Sequence, residues 1–501
     1  MYDHQKQYRC TIIRGKSQKE MDDLLPAYAK VIDEICPCNA DEFDSLFNNA
    51  FQRYLPESQR IKKTLDNHRT EISGKLFGMY YKSEDGIVYE SERTQKLLED
   101  NDQPSFFKDI CYKMQFPNGM DKPQTVQSRI DAGICIRPNA YVLKLLQISN
   151  TAKEPITVKD IGYYILNSLD VLQGNANPYE VFEQIVKDHK QGIFRVIRAF
   201  DEKGKPKASS YTMQHIREQL NYLELANLIR IVDQVVMLNL REQETINLFA
   251  EKWNEKPEFD MYSVDLSTIE SRKRFQIEWD EYFGELSDQA DKFATSAEAL
   301  QLDQPEGHAQ TEKKSDTNLV EFGDEGEALV YEYERQRVAA YNKRLTNKVI
   351  AFGKTKGVGY DIQSIVAIPG DEAEFCKYIE VKSTKRTTCP DRTNSLWVDT
   401  LNITRNEWVA ALQHKEYYSI YRVYFTRDGV HMFMLNNIAK KNSDSLITVT
   451  PMTYRLDFSN TCVDDEATLS LPKTDATVYT YQPSGHNVAM VADSFLEYGK
   501  H

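Results

Sequence analysis

The sequence predicts a multidomain chain: an α-rich N-terminal region, whose helices are followed by a two-stranded ribbon, joined by a linker to an α/β domain. Three observations predict it. From residue 19 to about residue 283, apolar side chains recur mostly at helical spacing, broken by a paired strand-like run near 228–238. From Leu286 to Asn318 the composition turns to Asp, Gln, Ala, Ser, Glu and Lys with almost no aromatics, which buries too little apolar surface to offset the entropy of ordering. Beyond it, helical and strand-like runs alternate, as in a layered α/β unit. The expected boundaries are 1–150 and 151–285 for the two parts of the N-terminal region, 286–317 for a linker segment in which about 299–317 is read as flexible, and 318–501 for the α/β domain with its C-terminal strands.

Within the first part, Lys19 to Cys36 carries Leu24, Leu25, Tyr28, Val31 and Ile32 at helical spacing, and Asp41 to Tyr54 carries Phe43, Leu46, Phe47 and Phe51. Lys62 to Leu76 continues helical, Gly86 to Glu90 reads as a short strand and Ser91 to Leu98 as a helix. The stretch Pro104 to Gly119 mixes aromatics with Lys108 and Lys113, and Lys122 to Arg129 is rich in residue types that contact phosphates and base edges. Ile134-Cys-Ile-Arg137-Pro138 then predicts a strand, a Pro-initiated turn and a buried helix.

In the second part Thr157 is an N-cap before an apolar stripe, and Pro178 to Val186 supplies another helix. A helix at Tyr211 to Leu223 turns Ile216, Leu220 and Leu223 inward and presents Thr212, His215 and Arg217 on its polar face. Leu225 to Leu238 is a strand-turn-strand ribbon. Helices followed by such a ribbon describe a winged helix, whose second helix commonly lies in the DNA major groove. Ile246 to Phe283, with Trp253 and Trp279, reads as helical.

Composition bounds the rest. At 501 residues, 41% hydrophobic and 11% aromatic, the chain can bury two to four cores. No run approaches the roughly 18 to 20 apolar residues of a membrane span, and the N-terminus lacks an apolar signal stretch, so a cytoplasmic protein with no membrane partner is expected. Eight cysteines are scattered, with only Cys36 and Cys38 close together, which excludes the ligand spacing of a structural zinc site. A net charge of −14 speaks against a nucleic-acid partner as an average. Locally, however, Lys382, Lys385, Arg386 and Arg392 cluster, and Arg335, Arg337, Lys343, Arg344 and Lys348 follow one helix, which leaves room for a basic surface.

The chemistry concentrates between Gly357 and Lys382. Asp361 follows a glycine turn and precedes the strand-like Ile362 to Ile368; after a turn at Pro369-Gly370-Asp371, the strand-like Tyr378 to Val381 leads into Lys382. Two strands joined by a turn form a hairpin. Glu380 and Lys382 are two apart and share a face, whereas Ile379 and Val381 face a core. Hard divalent cations such as Mg²⁺ accept an Asp, a Glu and a backbone carbonyl and keep several waters, so Asp361, Glu380 and the Val381 carbonyl form a candidate ligand set. Such an ion lowers the pKa of a water and offsets phosphoryl charge, while a neighbouring Lys orients the nucleophile. For an isolated motif of this kind, a surface hairpin with an ordinary cross-strand ion pair is the better explanation, since the pattern is short and charges are common on strands.

Flanking residues extend the pattern. Gly326-Glu327 opens a helix upstream, and Thr404-Arg405-Asn406-Glu407-Trp408 starts a capped helix downstream, followed by the strand-like Tyr421-Arg422-Val423-Tyr424. This order of elements resembles the PD-(D/E)xK nuclease superfamily, and more narrowly the nuclease-like domain at the C-terminus of NO VEIN proteins and of many bacterial defence proteins, over residues 318 to 440. The resemblance implies Asp361 and Glu380 as metal ligands, Lys382 as the catalytic lysine and Glu327 as a supporting helix acid, with Mg²⁺ as cofactor and Mn²⁺ as its substitute. Tyr360 stands where the superfamily has Pro. Upstream, the Asn-Gly loop and Ile-Arg-Pro-x-x-Tyr element faintly resemble recognition regions of type IIS restriction endonucleases.

These readings predict a restriction-type DNA endonuclease of bacterial anti-phage defence, with recognition and cleavage on separate parts of the chain. Lys385, Arg386, Arg405, Thr212, His215 and Arg217 are its expected DNA contacts. Expected partners are double-stranded DNA, a second copy of the chain on that DNA, and a cognate methyltransferase or defence-system protein. An effector subunit of a multi-protein defence system and a non-catalytic DNA-binding regulator stay open as alternatives.

Overall fold

A computed structural model of the chain describes residues 2–10, 17–195, 199–200, 206–207, 209–301, 325–352, 358–367, 374–450 and 455–469. The elements used below are, in chain order, helices α1 (Gln18–Ile35), α2 (Glu92–Asp100) and α3 (Pro138–Ala152), strand β1 (Ile156–Thr157), helix α4 (Ser209–Leu225), strands β2 (Ile229–Val232) and β3 (Val235–Leu238), helix α5 (Glu325–Asn342), strands β4 (Ile350–Ala351), β5 (Ile362–Ile365), β6 (Cys376–Lys385) and β7 (Val398–Asn402), helix α6 (Arg405–His414), and strands β8 (Tyr418–Thr426), β9 (Gly429–Asn436), β10 (Thr448–Thr450), β11 (Arg455–Ser459) and β12 (Asp465–Leu469). The N-terminal region is α-rich and the C-terminal region is built on sheets. The described residues of Met1–Arg14 and Cys111–Thr268 form one compact unit, and those of Gly15–Ile110 and Ile269–Leu471 form another.

In the first unit α3 is buried along most of its length, because apolar residues cover nearly every side of it. Thr157 caps the next helical turn, its hydroxyl accepting from Asp160 N while Asp160 Oδ2 accepts from Thr157 N. Helix α4 leads to the antiparallel ribbon β2–β3, which turns at Asp233 and Gln234, both at positive φ, and β1 adds a third strand beside β3. The helical run expected over Ile246 to Phe283 is two helices, Gln243–Glu251 in this unit and Ile269–Gly284 in the other. Between them Pro257 intervenes, and Asp260 and Asp265 accept from the amides of Tyr262 and Ser267, local turns that compete with helix.

The second unit is organised by a six-stranded sheet in the order β12-β9-β8-β6-β5-β4, with β6 and β8 parallel and every other pair antiparallel. The hairpin expected from the sequence is β5–β6, in register from Ile362 opposite Ile379 to Ile365 opposite Cys376; its turn and Gly357 lie outside the described residues. Parallel pairing requires a crossover, and α6 supplies it. One face of the sheet packs on α5 through Val330, Val338, Ile379, Val381 and Val423; the other packs Ile420 and Tyr424 against Trp408 and Ala411 of α6. Strands β7, β11 and β10 form a separate small sheet, and the strand expected over 476–481 lies outside the described residues.

Part of the expected linker is folded. Phe293, Ala297 and Leu300 are buried, Ala297 and Leu300 in the same core as α5 and β6, and Asp102 accepts from Thr295 N at 2.7 Å. Sparse apolar residues thus suffice where an existing core receives them. Residues 302–317 lie outside the described residues.

Candidate active site

Strand alternation builds the site. On β6, Ile379 and Val381 point into the α5 core, so Glu380 and Lys382 face α6. Asp361 sits just before β5 and clasps β6 twice, its amide donating to Ile379 O at 2.9 Å and its Oδ2 accepting from Val381 N at 2.7 Å. The turn before it needs glycine: Gly359 has φ +81°, and a Cβ there would lie 2.7 Å from Asn406 O in the first turn of α6.

Glu380 is 3% exposed, and its Oε1 lies 2.6 Å from Lys382 Nζ. Glu407 Oε2 lies 3.2 Å from the same ammonium. Burial pushes the Glu380 carboxyl well above its ordinary range, Asp361 and Glu407 push it further, and Lys382 only partly offsets them. Burial alone would lower the Lys382 ammonium, yet Glu380, Glu407 and Asp361 outweigh it and hold it charged above its ordinary value. The Lys382 ammonium thus faces three acids. Glu327, in the first turn of α5, lines the same cleft of about 790 Å³ with Asp361, Glu380, Val381, Lys382 and Glu407. Among the described residues no group of three or more His, Cys, Asp or Glu side chains forms a metal cage. Two carboxylates and a carbonyl fit an ion that keeps most of its waters, as Mg²⁺ does.

The sequence did not signal what else holds β6. Glu407 appears there as a helix cap. Arg422, beside Lys382 in register, is buried, pairs with Asp399 at 2.9 Å and donates to Ser383 O at 3.0 Å. Asn101, ending α2 at φ 51°, offers its carbonyl to Lys385 N and Thr384 Oγ1. The buried Asp22 of α1 accepts from Thr387 Oγ1, Thr388 N and Thr388 Oγ1.

The expected DNA contacts are scattered. Arg386 corrects the sequence reading: it is buried and paired with Asp23, because the chain beyond β6 turns onto α1. Lys385 lies 3.4 Å from Glu325, and Arg392 pairs with Glu466, so the basic run is divided among acids. Arg337 likewise pairs with Glu334. Arg405 is exposed at the start of α6. His215 is half-buried, Arg217 pairs with Glu224 at 2.9 Å, and the Thr212 side chain lies outside the described residues.

The family model described as "Restriction endonuclease BpuJI - N terminal" matches residues 2–280. The chain belongs to this family. A second model, "Protein NO VEIN, C-terminal", matches residues 326–435, where the BpuJI-type match has ended. A solved structure of the BpuJ1 endonuclease binding domain in complex with pyrene- and phenanthrene-modified DNA is 50% identical, covers 57% of this chain and 100% of its own, and aligns with a TM-score of 0.53. No curated protein matches the chain. Part of the BpuJI-type match, from Gly15 to Ile110, shares its compact unit with the NO VEIN-type match. Among the described residues no helix is long and apolar enough to cross a membrane.

Proposed function

We propose that this chain is a Mg²⁺-dependent restriction-type endonuclease that cleaves double-stranded DNA in defence against foreign DNA. The observation carrying this reading is the convergence of Asp361, Glu380, Lys382 and Glu327 on one cleft beside the interior strand β6, in the arrangement by which a PD-(D/E)xK nuclease fold holds its acids and lysine. Recognition is assigned to the BpuJI-type region, in which α4 and the β2–β3 ribbon act as a winged helix; the DNA named with the similar binding domain supports this.

In the proposed mechanism Asp361, Glu380 and the Val381 carbonyl would hold the cation. When bound, Mg²⁺ supplies Lewis acidity and charge to offset the phosphate. Lys382 orients the attacking water and steadies negative charge as it develops on the phosphoryl oxygens. Asp361, fixed to the β6 backbone at two points, keeps the donors from shifting as substrate arrives. One such site cuts one strand, so double-strand cleavage needs a second copy on the DNA; Mn²⁺ substitutes for Mg²⁺, and a cognate methyltransferase protects host sites.

The test is partner-free digestion of plasmid, modified phage DNA and RNA in Mg²⁺. Discrete DNA fragments are expected from the wild-type chain and none from Asp361→Ala. A ladder unaffected by Asp361→Ala would remove the assigned site, and cleavage of RNA alone would favour an effector subunit.

A further inference from the structure

The geometry points to Glu407 as a positioning residue of the site: it is a second carboxylate on Lys382 beside Glu380, so that Glu380 can turn to a cation without releasing the lysine. This rests on the nuclease reading above. A carboxylate that is ion-paired at 2.6 Å to a half-buried ammonium gives that oxygen to a metal at the ammonium's expense unless the ammonium has another anchor. Glu407 is that anchor, at 3.2 Å.

The placement of Glu407 is itself fixed. Its Oε2 accepts from Thr404 N at 2.8 Å, while its own amide donates to Thr404 Oγ1 at 3.3 Å, the reciprocal pair of a capping box at the start of α6. One oxygen thus serves the helix cap and Lys382 together. The same first turn of α6 meets the Asp361 loop, since Asn406 O is the atom that a side chain at Gly359 would strike. The start of α6 therefore sets both Lys382 and Asp361, and Glu407 would keep hold of the Lys382 ammonium were Glu380 to turn to a cation. Outer carboxylates that orient a metal site's residues commonly change its affinity or activity by roughly 10- to 100-fold.

A local cap and a positioning role separate in two variants of the full chain. Glu407→Gln keeps an oxygen for Thr404 N but removes the charge that attracts Lys382. It is expected to weaken Mn²⁺ uptake, followed by electron paramagnetic resonance without DNA, by about 10-fold and to lower kcat by a similar factor, with Tm and KM for DNA near wild type. Thr404→Ala removes the hydroxyl of the cap and keeps the carboxylate; it is expected to lower Tm while leaving Mn²⁺ affinity near wild type. Wild-type Mn²⁺ affinity and kcat in Glu407→Gln would reduce Glu407 to a cap and overturn the inference. Wild-type protein that neither takes up Mn²⁺ nor cuts DNA would instead overturn the nuclease reading, and this inference with it.

Discussion

Glu334 and Glu380 are both buried carboxylates beside one sheet, and they differ in how completely they are answered. Glu334, on the α5 face and 0% exposed, receives both nitrogens of the Arg337 fork at 3.0 and 2.7 Å and the Tyr421 hydroxyl at 2.9 Å. Burial alone would raise its carboxyl, but Arg337 and Lys377 outweigh burial and hold it below the ordinary range. Glu380, on the α6 face, shares one ammonium with Glu407 and lies near Asp361, and its carboxyl is driven upward. A fully bonded buried acid serves architecture. An under-compensated one, in a cleft, is where a cation can bind.

The strongest way to break this comparison is at Lys382. Lys382→Ala is expected to lower cleavage at least about 100-fold while fluorescence anisotropy shows nearly unchanged DNA affinity. Retained cutting would mean that the α6 face is no more functional than the α5 face.

A second measurement sharpens the comparison through stability. Because the folded carboxyl of Glu334 lies below the unfolded value of about 4.3, its contribution is present above that pH and is lost as pH falls through the folded value. Glu380 has the opposite sign: with a folded value above the unfolded one, ionising it costs stability at neutral pH, and that cost disappears as pH falls toward about 4.3. In urea unfolding at neutral pH with chelator, Glu334→Gln should therefore cost about 3 kcal/mol, leaving Arg337 short of a charge, whereas Glu380→Gln should be neutral or stabilise by about 1 kcal/mol. Equal losses from both would erase the distinction.

The smallest expected effect is at the turn between the faces. Gly359→Ala must hold a side chain at φ +81° and displace Asn406, at a cost of about 1–2 kcal/mol in the same unfolding experiment. Wild-type stability in this variant would show that the turn and α6 are not locked together.

Spacing along the chain was enough for much of this. The alternation of Ile379, Glu380, Val381 and Lys382 assigns the faces of β6 before any neighbour is known, since side chains of a strand alternate. Thr404 and Glu407 three apart announce a helix start by the same kind of local geometry. The basic cluster after Lys382 misled for a matching reason: spacing shows that Lys385 and Arg386 are near each other, not that Glu325 and Asp23 will meet them.

By itself, then, the sequence indicated many of the helices and strands, though not the break between Glu251 and Ile269, together with the hairpin and which of its acids and lysine would share a face. Only the tertiary structure decided that Glu407 would reach Lys382, that Asn101 and Asp22 would bind the end of β6 and the chain beyond it, and that Leu300 would enter a core from a stretch that reads as linker. The physical reason is range. Periodicity and capping act over a few residues, whereas Asp22 and Thr388 meet across 366 positions of chain, and such contacts depend on how whole elements pack rather than on any spacing within them.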